Sequence, residues 1–112
     1  MIRRLKNHPY AQCEVIIDMD TKVIQFISYS TLVIVCFPKG SRLNEFDIYV
    51  PNGHDITDCD YMLYCSGTYS HTTRRQISWF LREYFPELSY QDMKTISEYG
   101  NTVIPGKLEK SI

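Results

Sequence analysis

The feature that most constrains this chain is a change in the spacing of its apolar residues near position 70. Before that point, short runs rich in Val, Ile, Phe, Tyr and Thr recur with a period near two, which is typical of half-buried strands. After it, apolar residues recur at i, i+3, i+4 and i+7, which places a stripe along one helix face: Ile77, Phe80, Leu81 and Tyr84. The sequence therefore predicts an α+β fold, with a sheet followed by helices.

The first part predicts about five short strands joined by tight turns, and hence a mainly antiparallel sheet. A polar patch at 28–31 interrupts one long run, so we expect a bulge, bend or strand switch there. The strand candidates are residues 13–18, the two parts of the run 23–37, 46–50 and 61–69.

The second part predicts two C-terminal helices. Thr73 followed by Gln76 fits a capping box at the start of the first helix, and Pro86 ends it. Ser89 and a carboxylate three residues later begin the second helix, which stops near Gly100. We expect both helices to pack on one face of the sheet, because a single sheet would bury too little apolar surface alone.

A length of 112 residues with 44% apolar residues suits one domain over 1–112, with 1–12 and 102–112 loosely ordered. No run is long enough for a membrane span, and the N-terminal residues do not form a signal peptide. The four cysteines form no CxxC pair, which favours a reduced, cytoplasmic protein. A bridge between Cys59 and Cys65 in an oxidising compartment is the alternative.

Trp79 falls on the side of the first helix away from its apolar stripe. At ~100° per residue, its neighbours there are Arg75 and Arg82, with Arg74 at the edge. Trp and Arg are enriched at binding hot spots, so these four residues form the predicted partner-binding face. The alternative is that Trp79 packs under the second helix or the C-terminal segment, with the arginines merely solvated.

Hydroxyl groups, an imidazole and guanidinium groups gather where the first helix is expected to start. Free amides and the helix dipole favour an anion at such a place. The alternative is that these side chains only cap the helix. The candidate anion-binding residues are Tyr69, Ser70, His71, Thr72 and Thr73.

Neither metal chemistry nor catalysis is indicated by motif spacing. Histidine, cysteine and acidic residues crowd the segment 54–60, but their spacing matches neither a zinc pair nor a calcium loop. None of the three histidines lies beside a recognisable nucleophile motif. We therefore expect a protein that is not an enzyme, with no cofactor and no bound metal.

Charge is unevenly distributed although the net charge is only −1. Residues 42–60 hold one arginine and five acids, whereas residues 71–82 hold three arginines and no acid. Such a separation orients a partner, unless both segments are simply solvated faces. The small net charge argues against mimicry of DNA.

Four stretches carry a resemblance to known sequences. They resemble a family of small uncharacterised proteins of bacteriophages and mobile elements of Gram-positive bacteria. The stretches are residues 69–77, 79–86, 15–18 and 28–33. No activity or catalytic residue of that family is carried over. The resemblance implies a phage accessory protein acting in the bacterial cytoplasm.

These observations lead to one expected function with two alternatives. We expect a non-catalytic phage protein that binds and inhibits a host defence protein, for example a CRISPR effector, as an anti-CRISPR. A nucleic-acid or nucleotide-binding module is the first alternative, and a phage structural or assembly accessory is the second. A homodimer formed through an open sheet edge is a further open alternative.

Overall fold

Strands and helices follow the order expected from the change in apolar spacing, with one strand added after the helices. The computed structural model describes residues 1–5, 12–40, 45–68 and 70–112. Its elements are strands β1 (Ile2–Leu5), β2 (Cys13–Asp18), β3 (Ile24–Ser28), β4 (Thr31–Pro38), β5 (Asp47–Ile48) and β6 (Tyr61–Cys65), helices α1 (His71–Tyr84) and α2 (Tyr90–Tyr99), and strand β7 (Thr102–Gly106).

The α+β class with a mainly antiparallel sheet is confirmed, but the strand number is not. The described residues form seven strands rather than five, in the order β1-β2-β3-β4-β6-β7-β5. Every neighbouring pair is antiparallel except β5 and β7, which are parallel. The candidate strands 46–50 and 61–69 are shorter than predicted, as β5 and β6.

Two additional strands lie within 1–12 and 102–112, the segments that we expect from the sequence to be loosely ordered. β1 pairs with β2 along the sheet edge, and three of its four residues are exposed, so it carries little apolar signal. β7 is buried at all five positions and lies between β6 and β5. Gly106 permits close packing there, because a Cβ on it would lie 2.8 Å from Leu63 Cδ1. Residues 6–11 lie outside the described residues.

The predicted interruption of the long apolar run is a two-residue hairpin turn together with a shift in strand register. Tyr29 and Ser30 both have positive φ, at 50° and 67°, as a turn that matches strand twist requires. The register between β3 and β4 shifts between Phe26 and Ile27. The interruption is thus confirmed as a turn that separates β3 from β4.

The two faces of the sheet bury different amounts of apolar surface. Both helices cover one face, where alternate residues of β2 and β3 are buried, and Phe26 of β3 stacks on Phe80 of α1 at 4.8 Å between ring centroids. Phe37, Met62 and Val103 form a smaller cluster on the other face. All five helix residues predicted to be buried belong to the larger cluster: Ile77, Phe80, Leu81, Tyr84 and Met93.

The start of α1 differs from the prediction by one turn. Ser70, not Thr73, is the N-cap, and its hydroxyl accepts a hydrogen bond from the Thr73 backbone N–H. Thr73 and Gln76 lie on the buried side of the helix, where both contact the Ser28 hydroxyl of β3. A buried polar contact between helix and sheet therefore replaces the expected capping box.

The start and stop of α2 are as predicted. The Ser89 hydroxyl accepts from the Asp92 backbone N–H, while the Asp92 carboxylate accepts from the Ser89 N–H at 2.8 Å. Gly100, at φ 69°, caps the C-terminal end. The capping box is therefore confirmed in α2, although it is absent from α1.

Two further properties bear on the sequence expectations. No helix in the described part of the chain combines the length and apolarity needed to cross a bilayer. Cys59 and Cys65 are both free thiols, so no disulfide joins them.

Ser28→Ala is expected to lower the free energy of unfolding by about 1–3 kcal/mol, because it removes the partner of the buried Gln76 carbonyl. Urea denaturation followed by circular dichroism measures the change. Ser111→Ala, at an exposed position, should change it by less than ~0.5 kcal/mol. Equal urea midpoints for the two variants would contradict a stabilising role for the Ser28 contact.

Candidate functional site

The first candidate site is a groove along the exposed side of α1. Its volume is about 450 Å³, and it is lined by His71, Arg74, Arg75, Ser78 and Arg82. We refer to these five residues as the α1 groove.

The α1 groove exists because of how its residues are spaced around the helix. At ~100° per residue, its five members fall within an arc of about 100°, facing away from Phe80 and Tyr84. The buried arc of α1 packs on the sheet, so the opposite arc faces solvent. The helix thereby gathers three guanidinium groups and one imidazole on a single surface.

Positive charge in the α1 groove is poorly neutralised. In the described parts of the chain, no carboxylate forms an ion pair with Arg75 or Arg82, and both side chains are exposed. The first turn of α1 carries no acidic residue. Arg74 is held differently, because its guanidinium carbon lies 4.8 Å from the centroid of the Tyr90 ring. The groove is therefore a cationic surface in which Arg74 is held by Tyr90, while Arg75 and Arg82 are exposed.

Trp79 lies at the flank of the α1 groove rather than in it. The indole is partly buried and packs against the larger core cluster. At ~100° per residue Trp79 lies away from the apolar stripe, but the buried Gln76 widens the buried arc of α1 on the side nearest Trp79. The exposed part of the candidate surface is thus formed by arginine more than by tryptophan.

Of the residues predicted to bind an anion, the four that the structure describes do not form one group. Ser70 and Thr73 are engaged in capping α1 and in the contact with Ser28. His71 and Thr72 are exposed, and His71 lines the α1 groove. Tyr69 lies outside the described residues. Of the four described members, His71 alone lines the groove together with the arginines.

The acidic segment 42–60 is partly used to hold its own loop. The Asp55 carboxylate accepts hydrogen bonds from the Thr57 hydroxyl and N–H, at 2.6 and 2.9 Å, and these bonds hold the pKa of Asp55 below its usual value. Asp60 accepts from the Leu108 N–H at 2.9 Å. These carboxylates shape the chain locally, which reduces the part of the segment left to orient a partner.

A second cluster brings together His54, Cys59 and Glu87. The Cys59 Sγ lies 3.9 Å from His54 Nε2 and 3.7 Å from Glu87 Oε1, and the latter two atoms are 4.0 Å apart. Sequence reasoning singled out His54 and Cys59 in one loop but missed Glu87. No local signal was available, because Glu87 lies in the connection between α1 and α2 and is brought close only by the fold.

Cys59 is not prepared to act as a nucleophile. It is 5% exposed, and burial together with the neighbouring Glu87 carboxylate raises the pKa of Cys59 to about 11. The reactive form of cysteine is the thiolate, which is scarce at neutral pH with such a pKa. The cluster offers three different ligand atoms rather than an activated catalytic dyad.

Trp79→Ala is expected to lower the free energy of unfolding by about 2 kcal/mol, since it removes a large ring that packs against the core. Arg75→Ala, on the same helix but exposed, should change it by less than ~0.5 kcal/mol. Urea denaturation of both variants makes the comparison. If Trp79→Ala costs no more than Arg75→Ala, the indole does not contribute to the core.

Comparisons with known proteins give no relative for this chain. No protein-family model, no curated protein and no solved structure matches it.

Proposed function

We propose that this protein is a non-catalytic binding protein whose α1 groove contacts an acidic surface of another protein. The observation that carries the proposal is that Arg75 and Arg82 lie on the solvent-facing side of α1. Among the described residues, no carboxylate pairs with either guanidinium group. Arginine is enriched at protein interfaces, where its planar group binds carboxylates through two hydrogen bonds.

Arg74 has a different role in this proposal from the two exposed arginines, Arg75 and Arg82. Arg74, held over Tyr90, presents a charge whose position is set before binding. Arg75 and Arg82 are free to adapt to carboxylates of the partner, and the partly buried Trp79 adds apolar contact at the flank. Tryptophan and arginine are both enriched among the residues that contribute most of the binding energy at interfaces.

The proposed partner is a host defence protein, for example a CRISPR effector, and the proposed origin is a bacteriophage. This part depends on the resemblance of residues 69–86 to small phage proteins and not on the geometry. Direct occlusion is the proposed mode of inhibition, because a chain of net charge −1 does not imitate a phosphate backbone.

Charge reversal in the α1 groove tests the function directly. The tagged wild-type protein is expected to capture the effector from a bacterium with CRISPR immunity, and to restore plaque formation by the targeted phage. An Arg75→Glu, Arg82→Glu variant should lose both effects, because it places like charge against acidic partner groups. Capture is read by mass spectrometry and inhibition by plaque counts.

The matched control is Lys39→Glu, Lys94→Glu, which reverses two exposed charges outside the groove. It should capture the same proteins as the wild type. If the groove variant also captures the same proteins and restores plaques, the α1 groove is not the binding surface.

A nucleic-acid or nucleotide ligand is the second candidate. The observation that favours it is the position of His71, Arg74 and Arg75 in the first turns of α1, where no acidic side chain opposes an anion. Phosphate would then replace the carboxylates of a protein partner.

Salt dependence separates the two candidates. If three groove arginines contact phosphates of a single strand, affinity should fall about 20-fold between ~50 and ~200 mM salt, which follows from a slope of about −0.7 per contact. Fluorescence anisotropy with a labelled single-stranded DNA measures this, and Arg82→Gln should make the slope shallower. No binding at the lower salt concentration would eliminate this candidate.

A further inference from the structure

We propose that His54, Cys59 and Glu87 bind a divalent transition-metal ion of the zinc class. The site lies away from the residues that line the α1 groove, and it is independent of the proposed function. It joins three parts of the chain: the loop before β6, the connection between α1 and α2, and the end of β7.

The distances among the three ligand atoms suit one ion. They form a nearly equilateral triangle with sides of 3.7, 3.9 and 4.0 Å. An ion at its centre would lie about 2.2 Å from each atom, between the ~2.0–2.1 Å of a zinc–nitrogen bond and the ~2.3 Å of a zinc–sulfur bond. Movements of a few tenths of an ångström would bring the ligands to tetrahedral positions.

The chemistry of the ligand atoms selects the class of metal. A thiolate sulfur, an imidazole nitrogen and a carboxylate oxygen form a mixed set that zinc accepts, whereas calcium and magnesium prefer oxygen ligands alone. The fourth position is left to water.

The ligands are held in place by hydrogen bonds from their surroundings. His54 Nε2 donates to the Pro105 carbonyl when no ion is bound, and ligation would replace that proton. Glu87 Oε1 accepts from the Lys107 backbone N–H at 2.8 Å, which fixes the carboxylate beside Cys59. The Lys107 contact therefore orients one ligand and supports binding, whereas the His54–Pro105 hydrogen bond is lost when the ion binds.

Backbone contacts also fix the loop that supplies His54 and Cys59. The His54 N–H donates to the Pro51 carbonyl at 3.1 Å, and the Asp60 N–H donates to the Gly106 carbonyl at 3.2 Å. The loop is therefore tied to β7 before any ion arrives, so binding requires little ordering of the chain.

Burial distinguishes this cluster from carboxylates scattered over a surface. The His54 side chain is 9% exposed and Cys59 is 5% exposed, whereas Glu87 is 34% exposed. Two ligands are thus enclosed, and the third faces solvent and gives an ion a route to the site. Coordination would cross-link the loop to the helix connection and raise the stability of the folded state.

Cobalt(II) is the probe, because a cobalt–thiolate bond gives a charge-transfer band in the near ultraviolet and tetrahedral cobalt gives visible bands. Titration of the full chain with Co²⁺ should produce both bands at one equivalent, and Zn²⁺ should displace them. Zn²⁺ should also raise the melting temperature by several degrees.

Cys59→Ser should abolish the charge-transfer band, while Cys65→Ser, at another buried thiol, should keep it. Glu87→Gln retains a carbonyl oxygen for the Lys107 N–H and should fold, yet bind Co²⁺ at least tenfold more weakly. Glu83→Gln, an exposed acid paired with Lys110, is its control and should bind as the wild type does.

Two results would overturn the site. One is the absence of a thiolate band in the wild type, together with no Zn²⁺-dependent change in melting temperature. The other is equal Co²⁺ binding by Glu87→Gln and Glu83→Gln, which would assign the ion to some other group. Circular dichroism of each variant verifies that it is folded before its spectrum is compared.

Discussion

The contact between α1 and β3 sets the rotation of α1 about its own axis. That rotation determines which side chains of the helix face solvent. Phe80 stacks on Phe26, and one turn earlier Gln76 contacts Ser28. The apolar stack contributes most of the burial, whereas the polar contact is directional and is satisfied in one orientation only. Together they turn Arg75 and Arg82 to solvent.

Much of the fold is predictable because its apolar periods are strong. The strand at β2, the stripe of α1 and the capping box of α2 each carry a local signal that tertiary packing does not override. β7 is not predictable in this way, because Pro105 and Gly106 are turn formers in isolation. Gly106 is accepted in a strand here because Leu63 leaves no room for a side chain at that position.

The two candidate sites also differ in how far the sequence alone predicts them. The α1 groove is visible in the sequence, since helical spacing alone brings its arginines together. Helical spacing alone does not predict that Trp79 is partly buried, because it does not show how wide the buried arc becomes once the polar Gln76 is included. Glu87 meets Cys59 only through the packing of the helix connection against the end of β7, which no periodicity encodes.

The place of β7 in the sheet also determines when the sheet can be completed during synthesis on the ribosome. β7 lies inside the sheet, yet it leaves the ribosome after both helices, and β5 pairs only with β7 among the described strands. Until β7 arrives, β6 is an open edge and β5 has no neighbour. The nascent chain therefore holds an unfinished sheet while α1 and α2 emerge, and during that interval it is open to chaperones and to mispairing.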